Sequence, residues 1–452
     1  MPASLSRRTF LQVSGLAVGA TALASCGLGG GGGSSHEVTF WNGFQDSQTQ
    51  DYFTKNFIDA YNASRQPKID LIVKPINTVQ QLLKTAVAAG HGPDIIQEDG
   101  PAQALAYYNA GDLLPLDDYI TKYNWNSKLI PWSLETGKIN GKVYSVPSSY
   151  ETMALFYSPE TFQEKNWSVP TNRAEFESIC DEAAGTGIMP LAVGEADWHA
   201  TSEWFVTIFL NAFSGPQAVY EALQGKIKWS EPIFVDAITL LNDYFQKGWF
   251  GGGVQNYFTN KRAMLDTMLA SGKAAMDLSG SWVAAEYQPY FGKNGSARTW
   301  EWSTIPQFSS HAPADVFDLS VGQTFSINKK ANLPDGAAAW LNWWLSDTKA
   351  QGQALAAAGQ EPFPVHLTAS DFPAGGDKRA GRMYVELGQA KTIGYTTWTF
   401  LPPKSDTYVY TAFDKVITGK LTPKAYLEGL DPIFASELKQ GLVPPVPTPT
   451  QS

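Results

Sequence analysis

From Glu37 onward the apolar positions switch repeatedly between two periods. Glu37 to Trp41 reads as a strand, and Asp46 to Ala63 places Phe53, Phe57 and Tyr61 four residues apart, the spacing of an amphipathic helix. Ile69, Leu71 and Val73 then alternate along Lys68 to Lys74 as a second strand. Val79, Leu82, Leu83, Ala86 and Val87 mark a helix closed by Gly90, residues 91–99 (HGPDIIQED) give a third strand, and Pro101 to Ala110 is helical again. Such alternation predicts an α/β fold with a mostly parallel sheet covered on both faces. Its ligands sit beyond the carboxyl ends of the strands, here Trp41, Asn42 and Gly43, then Gln97, Glu98 and Asp99. Further on, Val143 to Val146 and Met153 to Tyr157 are two extended runs separated by a polar segment, as where a chain crosses between lobes. The run SGKAAMDLSGSW predicts a buried strand over Ala274 to Leu278, a turn at Ser279 to Ser281, and Trp282 at a helix N-terminus with free backbone N–H groups around it. Trp340, Trp343 and Trp344 share one face of the helix expected from Asp335 to Ser346, which makes them a core stripe.

The first residues break this rhythm. Arg7 and Arg8 precede Phe10 and Leu11, a charge-free apolar segment runs from Leu11 to Ala24, and Leu23-Ala24-Ser25-Cys26 follows. This is the layout of an export signal. The arginine pair resembles the twin-arginine (Tat) type, and the last four residues resemble the lipobox of bacterial lipoproteins, which implies lipidation of Cys26. Residues 1–26 are then the signal peptide and 27–36, nearly all Gly and Ser, a flexible tether. No later segment approaches the eighteen or so apolar residues of a spanning helix. The expected location is therefore extracytoplasmic, with a lipid anchor at the cell membrane.

Composition narrows the partners. The net charge of −10 argues against nucleic acid and against a polybasic membrane surface. Charged residues are 17% of the chain while aromatic ones reach 13%, with 15 Trp, so rings are available where other surfaces use charge. Beyond Cys26 the only cysteine is Cys180, which excludes a disulfide framework and reads as a small buried hydrophobe on a helix.

Several pieces recur together and in order: the lipobox, a first strand ending Trp41-Asn42, Gly92-Pro93-Asp94-Ile95, Leu114-Pro115-Leu116-Asp117-Asp118, Gly141-Lys142-Val143-Tyr144-Ser145-Val146-Pro147 with a later Leu155-Phe156-Tyr157, Pro190-Leu191-Ala192-Val193-Gly194 with Trp198, SGKAAMDLSGSW, and VGQTFSINKKA before a helix. Spanning roughly residues 37 to 435, this set resembles the extracellular solute-binding proteins of family 1, the maltose-binding-protein-like sugar-binding lipoproteins of ABC importers. The resemblance implies a two-lobed periplasmic-binding-protein fold of type II with a ligand cleft between the lobes. Lobe one is placed at 37–148 and 328–374, lobe two at 149–327 and 375–440, and 441–452 is a Pro-rich tail not expected to pack. It implies a monomer that captures a carbohydrate, an oligosaccharide rather than a single sugar, by hinge closure and hands it to membrane permease subunits, with no cofactor and no metal.

A pyranose offers CH-rich faces to aromatic rings and a rim of hydroxyls to polar side chains. Candidate ligand-binding residues are Trp41, Asn42, Glu98, Asp99, Tyr150, Glu151, Trp198, Trp282, Gln360, Glu361 and Trp398. Some have a structural alternative: a core ring for Trp41, hinge structure for Tyr150 and Glu151, and surface packing for Trp398, while nearby Asp46 is more simply a helix cap. Trp204 lies beside Trp198 and can be the first core position of its helix, and the resemblance implies that Phe363, with Gln360 and Glu361, belongs to a late loop that approaches the ligand. Enzyme signatures are missing: there is no GxSxG, Walker loop or HExxH, and the 5 histidines lack metal-ligand spacing. Glu98 and Asp99 are adjacent on a strand and point apart, so they are not a glycosidase pair. A pairing of Glu98 with Glu361 stays open. A receptor for a polyamine or a glycerol phosphate is the remaining alternative, which more carboxylates or an arginine in the cleft would favour.

Overall fold

Strand β1 (Glu37–Asn42) anchors the first lobe, because Val38 and Phe40 are wholly buried and hold it in the sheet. The computed structural model describes residues 36–451 apart from 45, 293 and 294, so the signal, Cys26 and nearly all of the tether lie outside the described residues. On either side of β1 run β2 (Lys68–Val73) and β3 (Ile95–Glu98), both parallel to it. Asp46 caps the first helix by accepting from the Thr49 N–H at 2.8 Å, and the helical run Ser47–Asn62 continues through a π-helical stretch at Thr54–Asp59. The predicted helices appear at Val79–Ala88 and Pro101–Ala110.

A hairpin of β4 (Lys138–Ile139) and β5 (Lys142–Val143) leads into β6 (Ser145–Tyr157), followed by β7 (Met189–Leu191), β8 (Ala274–Gly280), β9 (Glu301–Ser303), β10 (Phe317–Ile327) and β11 (Ile393–Tyr395). The sheet order is β2-β1-β3-β10-β6-β8-β7, with β11 beside β10 and β9 beside β6. The outer pairs are parallel as expected, but β10 with β3, β10 with β6 and β6 with β8 are antiparallel. The sheet is thus mixed, and the two expected extended runs around Ser148 to Glu151 are one 13-residue strand. The polar residues interrupt the hydrophobic pattern without interrupting the pairing: Ser149 faces Gln323 and Glu151 faces Ser320 across a bulge in the ladder. β6 and β10 therefore carry the join: β10 pairs β3 through Thr324–Ile327 and β11 through Phe317–Leu319, while β6 pairs β8 and β9 through Met153–Tyr157.

Helices cover the sheet. In lobe one, Trp340 and Trp344 of the helix Pro334–Leu345 are buried, with the Trp340 ring 5.3 Å from Phe40 and its indole N–H donated to the Phe57 carbonyl at 3.0 Å. Trp343, on the same stripe, is only half-buried against Tyr61. In lobe two the helices Thr201–Phe209, Pro232–Gln246 and Pro403–Ile417 enclose Phe205, Phe245 and Tyr257. Cys180 is buried there, and burial pushes its thiol well up, away from the reactive thiolate.

The Pro-rich tail corrects an expectation. It packs: the Ile393 N–H donates to the Pro449 carbonyl at 3.0 Å, the Gln451 N–H to the Lys391 carbonyl at 2.9 Å, and the Tyr395 hydroxyl to the Pro447 carbonyl at 2.7 Å. Prolines lack the N–H but keep the carbonyl, so an extended tail can still satisfy the donors of β11 at the sheet edge. Val443 and Val446 add apolar contact with the core.

Candidate functional site

At its carboxyl end, β8 reaches Gly280 and then Trp282. A Cβ at Gly280 would sit 2.0 Å from the Trp282 ring, so the indole lies folded back over a position that only glycine leaves open. Its ring is 5.1 Å from Trp204 and 6.4 Å from Trp398, edge to face in both cases. Trp198, 59% exposed, stands at the rim of the same cavity. Trp282 does not open a sizeable helix N-terminus as expected: the helix Val283–Glu286 has 4 residues, and the Ser281 N–H is already donated to the Thr152 carbonyl at 2.9 Å.

Beneath the rings, in a cavity of about 150 Å³, lies a charged cluster. The Arg262 guanidinium meets Asp277 at 2.7 Å and Asp266 at 2.8 Å, and Tyr287 donates to Asp277 at 2.8 Å. Burial disfavours the charge on Arg262, but Asp277, Tyr287 and Asp266 outweigh it and hold the guanidinium charged. Burial pushes Asp266 up to about 7 against the pull of Arg262. Asp277 Oδ1 and Ser279 Oγ are buried without hydrogen-bond partners, an expensive arrangement unless a ligand supplies them.

Where β6 and β10 cross, the other end of the cleft is a cavity of about 360 Å³ with Asn42, Gln97, Ser149, Glu151, Gln323 and Glu361 in its lining. Its polar wall exists because the β10 bulge admits no side chain at Gly322, where a Cβ would lie 2.6 Å from Glu151 Oε1. Glu151 and Glu361 hydrogen-bond to each other, and burial pushes both up. At Glu361 the negative charge of Glu151 adds to burial, so the pair favours holding a proton. Ser320 links the two ends: its hydroxyl accepts from the Trp398 indole N–H at 2.8 Å and donates to Glu151 at 3.2 Å. A small third cavity shares Trp282 with the first and Gly359 and Glu361 with the second, so the three follow one another in a line from Trp198 to Asn42.

Of the expected residues, the fold brings together Asn42, Glu151, Gln360, Glu361, Trp282 and Trp198 along this line, with Trp398 against Trp282. It does not bring in the others. Tyr150 is wholly buried, its hydroxyl donating to the Tyr384 carbonyl at 3.2 Å, because alternate residues of β6 point away from the cleft. Glu98 is likewise wholly buried: Gln97 takes the cleft face of β3 and Glu98 the opposite one. Thr324 donates to it at 2.9 Å, its Oε1 has no partner among the described residues, and burial pushes it up to about 8. Asp99 is turned away to Gln80 at 2.9 Å, and partial burial of its carboxyl raises its affinity for a proton. Trp41 lies outside the cavity under the Lys74 ammonium, 4.5 Å from its ring. Phe363 is core. Sequence reasoning missed Arg262, Asp277 and Gln323. The signal at Asp277 is a carboxylate inside the apolar run AAMDLSG, which burial permits only with a partner.

The sequence pattern of the family described as bacterial extracellular solute-binding protein matches residues 46–351. Among curated relatives, an uncharacterized ABC transporter extracellular-binding protein of Pyrococcus horikoshii is 23% identical over 67% of this chain and 66% of its own length, just under two thirds. A maltodextrin-binding protein of Bacillus subtilis is 23% identical over 66% of this chain and 68% of its own. Among solved structures, a chitin oligosaccharide binding protein has a TM-score of 0.72 at 20% identity, covering 88% of this chain and 98% of that one, a likeness of fold.

Proposed function

From the family to which this chain belongs, that of bacterial extracellular solute-binding proteins, we propose that it is the substrate-binding component of an ABC importer and that its ligand is a carbohydrate, an oligosaccharide held along the cleft. The observation that carries this reading is the run of neighbouring cavities with indole rings over unpartnered buried polar atoms at one end and carboxyl and amide groups at the other. Relatives named for maltodextrin and chitin oligosaccharide support the ligand class. Rings of lobe two cover sugar faces, and Asn42, Glu151, Gln323 and Glu361 reach hydroxyls when the hinge at β6 and β10 shuts. The ligand then stabilises the closed state by its greater affinity for it, and permease subunits recognise that shape. Lobe boundaries near 148, 328 and 374, a monomeric state, and a lipid anchor through Cys26 after Tat export complete the proposal; no described helix is long and apolar enough to cross a membrane.

This protein binds and does not cleave. The family consists of solute-binding proteins. Glu151 and Glu361 touch each other instead of flanking a bond at the roughly 5 Å or more that glycoside hydrolysis needs, and Glu98 is sealed away from both. Arg262 does line the cleft, contrary to expectation, but Asp277, Asp266 and Glu286 surround its charge, which leaves no free cation for a phosphate. A thermal-shift screen of mono- and oligosaccharides tests the reading: a neutral oligosaccharide raises the melting temperature, and silence across all carbohydrates would sink it. Incubation with labelled oligosaccharides leaves them intact; cleavage products would make the protein an enzyme.

A further inference from the structure

Outside the cleft, the loop between β7 and the helix Thr201–Phe209 brings Glu195 and His199 against Asp414 of the helix Pro403–Ile417. One ligand atom from each of the three lies within 4.8 Å of the other two. Glu195 is only 4% exposed, and neither of its carboxylate oxygens completes a hydrogen bond, although His199 Nδ1 stands 2.9 Å from Oε1 and the buried Tyr257 hydroxyl, itself without a partner, faces the same carboxylate. Asp414 has one long contact, from the Ser202 hydroxyl at 3.4 Å. Among the described residues no lysine or arginine pairs with either carboxylate. Two carboxylates beside a histidine, one of them buried with its acceptors unmet, is a costly arrangement for which a cation is the natural partner.

We propose that Glu195, His199 and Asp414 bind a first-row divalent metal ion of the zinc class. The imidazole decides the class: calcium and magnesium take oxygen ligands, whereas one nitrogen with two carboxylate oxygens suits zinc and its neighbours. Tetrahedral zinc with bonds of about 2.1 Å sets its ligands roughly 3.4 Å apart. The cluster reaches that spacing by a modest turn of His199, whose side chain is 77% exposed and free to move. The exposed side leaves the fourth position to water. The ion's role is structural. Trp198 precedes His199, and on its other side Asp197 accepts from the Arg262 N–H at 2.7 Å. A metal on His199 adds a second fastening, tying the loop that carries Trp198 to the Asp414 helix.

The test uses the full chain stripped with a chelator and then dialysed against zinc alone, with zinc content and melting temperature as readouts, so that it does not depend on any carbohydrate. We expect one zinc per chain and a melting temperature higher by several degrees. His199→Ala, at an exposed position that leaves the fold intact by circular dichroism, weakens zinc binding by roughly tenfold or more, and Asp414→Asn does the same. Absence of stoichiometric zinc in the wild type, zinc affinity unchanged in His199→Ala, or calcium binding as tightly as zinc would each overturn the proposal.

Discussion

The two ends of the cleft are built on opposite plans. The lobe-two end is walled by rings, Trp198, Trp204 and Trp282 with Trp398 beside them, over a charge cluster around Arg262. The lobe-one end has polar groups along its wall, including the buried carboxyl pair Glu151 and Glu361. Rings bind sugar faces through area and need little exact geometry, while hydroxyl recognition is directional and tolerates little error. Under the proposed function, the ring end supplies most of the affinity in the open protein, and the polar end acts on closure and selects among sugars.

Removing the ring breaks this contrast most severely. Trp282→Ala is expected to weaken oligosaccharide binding by about a hundredfold, with a small loss of stability because the ring is only partly buried. Gly280→Ala keeps the indole but drives it off its seat, since the new Cβ would lie 2.0 Å from the ring. We expect roughly tenfold weaker binding with the tryptophan still present. At the polar end, Glu151→Ala costs about tenfold, whereas Glu361→Gln, which retains a donor toward Glu151, costs threefold or less. Calorimetry across a set of sugars separates the ends: ring variants lose all ligands alike, and polar variants change the order of preference.

The smallest effect on binding belongs to Glu98→Gln, which leaves affinity unchanged but alters stability with pH. Burial raises Glu98 from 4.5 to about 8, so between these values the folded state holds a proton that the unfolded state has released. Its stabilising contribution is complete below pH 4.5 or so and is lost as pH rises to about 8. Thermal melts of the wild type fall across that window more steeply than those of Glu98→Gln, and equal slopes would show Glu98 to be charged in the fold.

What could be read in the sequence follows the physics of each element. Alternating periods located β1, β2, β3 and the helices between them, and the apolar run AAMDL located β8. Pairing partners 170 residues apart leave no local trace, so the antiparallel join of β6 to β10 and its bulge were invisible, and with them the face on which Tyr150 and Glu98 lie. A polar residue at a strand end announces neither cleft nor core until its neighbour's face is known. The tail was misread for a related reason: composition records the missing proline N–H groups but not the edge strand waiting for their carbonyls.

The most direct test is a calorimetric titration of the wild type and Trp282→Ala with a graded series of neutral oligosaccharides. The account predicts at least one sugar bound by the wild type at micromolar or tighter affinity, with that affinity reduced about a hundredfold in a still-folded Trp282→Ala. No binding to any member of the series, or binding indifferent to the loss of the indole, would contradict it.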